Sequence, residues 1–502
     1  MMHRRKRRYF VIDFFNERFS FFINPYVNCN STNIPGRRSL CVSRSRVLIV
    51  DQGTLQDALE FHMSIASILP PEIIGAIVSE ALPKKGVRHR IPLQVVFSHV
   101  CRHWREVTIG TPLLWANINV YSDNSMKWLP SYLDRSKPCL LNVRIDTYDD
   151  EKRAAAVLAS YALIFQLLAD HFERVQYFFW FAHSESFISV LCRQHFKDIA
   201  APALERFCTL ASKNPVPWMV QVPMLPSIFA GCAPRLSLVD LEVTQLLPPL
   251  QNVTTLILGH MGLLKIRFAE IESSAPNLMH LSISRVGFAQ GQPTPLIFNS
   301  LRSLKLICDP AFIIEFFDDL EAPQLESLWF GCSRYITLQP LLSRGKFLGK
   351  FPLLRYLTLQ NHDYPSLGAF ALEFPSVTHL HLLYPHGGGR GLTSMIQPDH
   401  SEPILWPHLH TLAIQTVHDA YSSNSDSAVP GNFIVQCRNL ISYRRQMNNG
   451  LKTLLFDCDL FKIAANGPLL NVVGTTLATI SRDNYQEYWW NLFEDNTLHI
   501  LQ

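Results

Sequence analysis

The residues of this chain that could ligate a metal or attack a carbonyl are few and poorly spaced. His99 and His103 stand at i and i+4, which would point two imidazoles off one helix face toward a shared ion. Val100, Cys101 and Arg102 lie between them, so the glutamate that an H-E-x-x-H hydrolase uses as general base is missing. His379 and His381 would share one face of a strand, yet third and fourth ligands for a tetrahedral ion are not evident. His386, with Gly387, Gly388 and Gly389, has the form of an esterase oxyanion loop. Such a loop needs a nucleophile on a G-x-S-x-G turn, and the chain has none, so the glycine run is expected to be a connecting loop. Neither a G-x-x-x-x-G-K-[ST] phosphate loop nor a G-x-G-x-x-G turn occurs. The 11 cysteines are scattered, with no C-x-x-C pair, which predicts reduced thiols in cytosol or nucleus instead of a zinc site. No catalytic residue, cofactor or metal is expected, and the chain is read as a non-enzyme.

What remains is binding, and the composition narrows it. The chain has 502 residues, 48% of them apolar and 17% charged, too many for one ordinary domain and enough to bury a large core. The net charge of +4 owes much to Arg4, Arg5, Lys6, Arg7 and Arg8; the rest lacks the continuous basic stripe of a nucleic-acid binder. No run of eighteen uncharged apolar residues is present, so no membrane span is expected. The aromatic stretch 9–23 loosely imitates a signal peptide, but Asp13, Asn16, Glu17 and Arg18 interrupt it. Residues 1–60 are predicted to be a disordered extension.

The clearest local pattern begins at Ile68, in ILPPEIIGAIVSEALP. Pro70 and Pro71 suit a first helical turn, Glu72 suits its positive end, and Ile73, Ile74, Ile77 and Val78 form one stripe. After the basic connection KKGVRHR a second helix is predicted, with Leu93, Val96, Phe97, Val100, Trp104 and Val107 on one face and Gly110 and Pro112 ending it. PLLWANINV then marks a corner running into a strand. Helices this short bury too little surface to stand alone, so their surplus apolar face must pack on the rest of the chain or on a partner.

LPPEII, VCRHWREV and PLLW, taken together over residues 64–120, resemble an F-box of the kind frequent in mushroom-forming fungi. The resemblance implies docking on the Skp-type adaptor of an SCF ubiquitin ligase. It assigns Leu69, Pro70, Glu72, Ile73, Ile74, Ile77, Val100, Cys101 and Trp104 to the motif, divided in some way between adaptor contact and the module's own core.

Farther on, a pattern x-L-x-x-L-x-L recurs, often after a proline. Its first anchors are Leu236, Val253, Leu278, Leu301, Leu325, Leu354, Val377 and Leu409, at steps of 17, 25, 23, 24, 29, 23 and 32 residues. Weaker copies are read at Phe172 with Val175 and Tyr177, at Leu204 with Phe207, and at Leu440 with Tyr443. Such spacing is that of leucine-rich repeats, each giving one short parallel strand whose leucines seal a shared core. The predicted class is α/β: a short all-α F-box module (64–120), a transition (121–200), a leucine-rich-repeat solenoid with helical connections (201–460) and a C-terminal cap (461–502). Period two along each strand sends alternate residues to the opposite, concave face. There Trp329, Tyr356, His379 and His381 are expected to gather as an exposed target-binding patch, unless the aromatic segment 467–502 covers them. The expected function is substrate recognition for an SCF-type ligase, with an unidentified protein as target; the alternative is a repeat scaffold with no ligase role. Neither nucleic acid nor membrane is expected as a partner.

Overall fold

A computed structural model describes residues 38–43, 46–51, 69–81, 92–120, 127–147, 154–182, 185–211, 228–229, 232–241, 247–259, 268–284, 295–332, 347–360, 367–383, 395, 404–415, 430–456, 475–479 and 499–500. The chain divides into two units, one of Met1–Ile118 with Lys127–Leu141, the other of Asn119–Met126 with Asn142–Gln502.

The first unit contains, inside the segment read as a disordered extension, two antiparallel strands, Arg38–Ser43 and Arg46–Asp51. Its helical part begins where the proline pair predicts, at Pro71–Ala81. The second predicted helix is in fact two, Leu93–Phe97 and Arg102–Gly110. The break has a local cause. Ser98 turns its hydroxyl back onto the Val95 carbonyl (2.7 Å), and Cys101 is extended, its sulfur accepting from the Trp104 amide at 3.5 Å. Arg105 Nε then donates to the Ser98 carbonyl at 2.9 Å, which fixes the bend. Side-chain bonds of this kind compete with helix continuation. The three helices pack on one another around Ile74, Val78, Phe97 and Trp104, all buried, with the Phe97 and Trp104 rings stacked at 5.7 Å.

The corner PLLW is a single 3-10 turn, Pro112–Trp115. Trp115 is buried, donates its indole N–H to the Thr108 carbonyl (2.7 Å) and meets Tyr132 edge-on at 5.0 Å. Gln94, also buried, donates to the Leu114 carbonyl (2.9 Å) and accepts from the Tyr132 hydroxyl (3.1 Å). Both polar ends of the Gln94 amide are thus satisfied, as burial demands.

The second unit is α/β and is built on a fifteen-stranded sheet whose spatial order is the order of the sequence. From Val175–Ala182 through Thr476–Thr479 each strand pairs in parallel with the next, and the final strand, His499–Ile500, is antiparallel. Every one of the eight strong anchors is buried, and the strand of its repeat starts two residues later: Leu238–Leu241 after Leu236, Thr255–Gly259 after Val253, and so on to Thr411–Gln415 after Leu409.

Register stacks the leucines in rows. Leu281, Leu304, Leu328, Leu357, Leu380, Leu412 and Leu454 form one row; Ile283, Leu306, Phe330, Leu359, Leu382, Ile414 and Phe456 form the next, and all are buried. Each such side chain gains roughly 1.5–3 kcal/mol over an exposed one. Repeat is joined to repeat at the strand starts, where one carbonyl takes two amides. Met279 O accepts from Arg302 N and Ser303 N (2.8 and 3.0 Å), and Arg302 O accepts from Glu326 N and Ser327 N (2.8 and 2.9 Å). Asn252 and Asn277 staple the turns before, donating to the carbonyls of Pro234 and Gln251 at 3.0 and 2.9 Å.

Helices cover the leucine rows. Pro310–Asp319 starts at Asp309, whose carboxylate accepts from the Ala311 amide (3.0 Å) with proline in the first turn. Its Phe317 packs on strand residue Phe330 at 5.2 Å.

Two weak copies are corrected. Leu440 and Tyr443 lie inside the helix Pro430–Gln446, and the strand of that repeat is Thr453–Phe456, behind the buried Leu451. At the other end Val175 is the anchor, so Phe178 and Trp180 point inward and Tyr177 does not. An odd register shift always exchanges the faces.

Candidate functional site

The helical unit sorts the residues that the sequence had grouped. Ile74 and Trp104 are buried in its own core; Leu69, Ile77 and Cys101 are half-buried; Pro70, Glu72, Ile73 and Val100 are exposed. Ile73 keeps 47% of its surface in solvent, because it lies on the flank of its helix while Ile74 and Val78 face inward. Four residues outside the predicted set add to the exposed apolar surface of this unit: Ile109, Trp128, Leu140 and Leu113, the last 64% exposed. A sequence signal for Leu113 existed in PLLW, where one leucine of the pair must turn outward once its neighbour enters the core. His103 is not poised for a metal with His99: its Nε2 lies 2.9 Å from the Leu69 carbonyl, tying the helix Arg102–Gly110 to the residues just ahead of Pro71–Ala81.

On the sheet, the face opposite the leucines carries the second predicted group. Register sets Ser303, Ser327, Tyr356, His379 and Thr411 in one row, and Ser282, Lys305, Trp329, Thr358, His381 and Ala413 in the next. Tyr356 and His379 are therefore true neighbours, rings 4.7 Å apart and both half-buried. Trp329 and His381 are separated by the strand of Thr358, and neither is open: Trp329 is 1% exposed and His381 0%. The expected exposed patch is thus only half realised.

The reason is crowding on that row. Lys305 lays its ammonium over the Trp329 ring at 4.0 Å, and the indole N–H donates to Gln360 Oε1 at 3.1 Å. Gly331 leaves room for that glutamine: a Cβ there would stand 3.2 Å from the same oxygen and 3.1 Å from Ile307. Burial holds the His381 imidazole down to about 3, with a hydrogen bond to Gln415 acting the other way. His280 and His379 are held at about 4, by burial first and then by Arg302 and His410 respectively.

Among the described residues no three His, Cys, Asp or Glu side chains gather as a metal site, and no helix is long and apolar enough to cross a membrane. Burial pushes the thiols of Cys192, Cys208 and Cys437 well above the ordinary cysteine range, so they are poor nucleophiles. The HGGG run and the part of the aromatic segment holding Tyr485, Tyr488, Trp489 and Trp490 lie outside the described residues. No protein-family model matches the chain, and no curated protein sequence matches it either.

Proposed function

We propose that this chain is the substrate-recognition subunit of an SCF-type ubiquitin ligase, with the helical module acting as an F-box on a Skp-type adaptor and the sheet as a leucine-rich-repeat surface for a target protein. The observation that carries the reading is the division of apolar side chains in the first unit. A core of Ile74, Val78, Phe97 and Trp104 is already complete, yet Ile73, Val100, Ile109 and Leu113 remain exposed. Isolated exposed apolar residues are ordinary; several on one small helical unit suit an interface. The resemblance of LPPEII and VCRHWREV to an F-box supports a Skp-type adaptor as the partner class. Support for the repeat half comes from the strand order and from anchors that recur ahead of each strand. In this reading the chain performs no chemistry, and ubiquitin transfer gains from holding the target near the conjugating enzyme.

The test is co-expression of the full chain with a Skp-type adaptor. The two should elute together, and Ile73→Glu should release the adaptor without lowering the melting temperature by more than a few degrees. Trp104→Glu is unsuited to the purpose, because a charge placed in that core unfolds the module. Failure of the unaltered chain to retain the adaptor would leave the scaffold reading, in which the sheet binds its target outside any ligase.

A further inference from the structure

Three strand beginnings form a cationic corner that the reading above does not use. The Thr378 carbonyl accepts from the amides of His410 (2.8 Å) and Thr411 (3.1 Å), and the His410 carbonyl accepts from those of Lys452 (2.8 Å) and Thr453 (3.1 Å). Thr378, His410 and Lys452 therefore sit in one row at the starts of three adjacent parallel strands, about 4.8 Å apart. His410 and Lys452 are exposed, and so is His408 in the turn just before.

Behind them lies Arg444, 1% exposed, on the helix Pro430–Gln446. Its guanidinium donates to the carbonyls of Leu405 (2.9 Å), Trp406 (3.0 Å), Leu409 (3.4 Å) and Asn449 (3.0 Å). Those bonds fix the turn that presents His408 and His410. All four acceptors are neutral carbonyls, and burial lowers the guanidinium to about 10, which still leaves it charged near neutral pH; among the described residues no carboxylate forms an ion pair with Arg444, His408, His410 or Lys452. Buried charges are ordinarily paired, and this one projects its field into the corner. Nothing anionic acts on His410: after burial, Lys452, His408 and Arg444 hold its imidazole below the ordinary value.

We propose that His408, His410 and Lys452, backed by the buried Arg444, form a binding site for a phosphate monoester, either free or carried on a peptide side chain. Such a group brings close to two negative charges and three acceptor oxygens, matching the Lys452 ammonium and the imidazole N–H donors beside it better than a single carboxylate does. The site lies in the second unit and does not depend on adaptor binding by the first.

Calorimetric titration of the full chain at about 0.15 M ionic strength, where charges are screened over about 8 Å, tests it, using inorganic phosphate, acetate, and one peptide with and without a phosphoserine. Phosphate should bind saturably and acetate more weakly. Lys452→Gln and His410→Gln, both at exposed positions, should each weaken phosphate by about tenfold while leaving the thermal midpoint unchanged. Arg355→Gln, on the same row but two strands from His410, should change it by no more than about twofold, since solvent screens that distance. A phosphopeptide that binds more tightly than phosphate identifies a modified protein as the source; equal affinity identifies the free anion. Absence of saturable phosphate binding, indifference to both variants, or acetate binding as tightly as phosphate overturns the site. Adaptor retention by Lys452→Gln is scored separately, so failure here and failure of the ligase reading are told apart.

Discussion

At the scale of single residues, three histidines of one sheet face bear on how the protein answers acid. His280, His379 and His381 are held near 4, 4 and 3, with burial the largest cause in each. In the unfolded chain each returns to about 6.5. Below that value the unfolded state takes up protons that the folded state refuses. The stability these histidines contribute is therefore complete above about pH 6.5 and drains away as pH falls toward 4. A fully responding histidine costs about 1.4 kcal/mol per pH unit in that window; half-buried His280 and His379 should cost less, because solvent reaches them. Urea midpoints measured at pH 7, 6 and 5 should fall steadily, and His381→Gln should flatten the decline. A slope unchanged by His381→Gln would mean that His381 is not a source of it. Residue identity alone gave no warning of this, since the repeat pattern places His381 on the face expected to be open.

Elements show where sequence is a good guide and where it fails. The anchors, two residues ahead of each strand, were legible because a leucine that must be buried in every repeat leaves a periodic mark. The first helix start was legible for the same kind of reason: proline and an acidic residue are positional signals, as at Pro70, Pro71 and Glu72 ahead of Pro71–Ala81. Asp309→Ala should cost about 1 kcal/mol in a denaturation midpoint, the loss of one capped amide. A loss of several kcal/mol would point to contacts beyond the cap.

The break between Leu93–Phe97 and Arg102–Gly110 was not legible, because the apolar spacing continues straight through it. What decides it is a hydroxyl and a thiol bonded to nearby backbone, and periodicity does not register these. Leu440 and Tyr443 misled in the opposite sense, since helical and repeat spacing coincide over four residues. The candidate surface of the first unit was legible as a set of residues but not as a division of labour. Which isoleucine of the pair Ile73 and Ile74 faces inward depends on the helix it meets. The cation corner left only a faint trace, PHLH and a distant Arg-Arg pair, because parallel pairing brings together residues more than thirty positions apart.

Across the whole molecule, the ordered sheet makes a claim about cooperativity. Within the fifteen-stranded sheet each strand bonds only to the strands next before and after it in that sheet's sequence order, so no distant segment closes the sheet on itself among the described residues. Energies in such an array are sums of local terms and nearest-neighbour contacts. Leu454 is fully buried in the row that runs from Leu281, and truncating it to alanine should cost about 2–5 kcal/mol. That loss should be confined. Amide exchange should quicken in Thr411–Gln415, Thr453–Phe456 and Thr476–Thr479, while Val175–Ala182 and Arg206–Ala211, many strands away, keep their protection. Phe207→Ala should produce the mirror image, loosening the early strands and sparing the late ones. If both substitutions speed exchange evenly along the chain, the sheet unfolds as one block and nearest-neighbour stacking does not describe it. A confined response would also fit a protein that binds through one stretch of the sheet, because tightening a few strands on a partner need not reorganise the others.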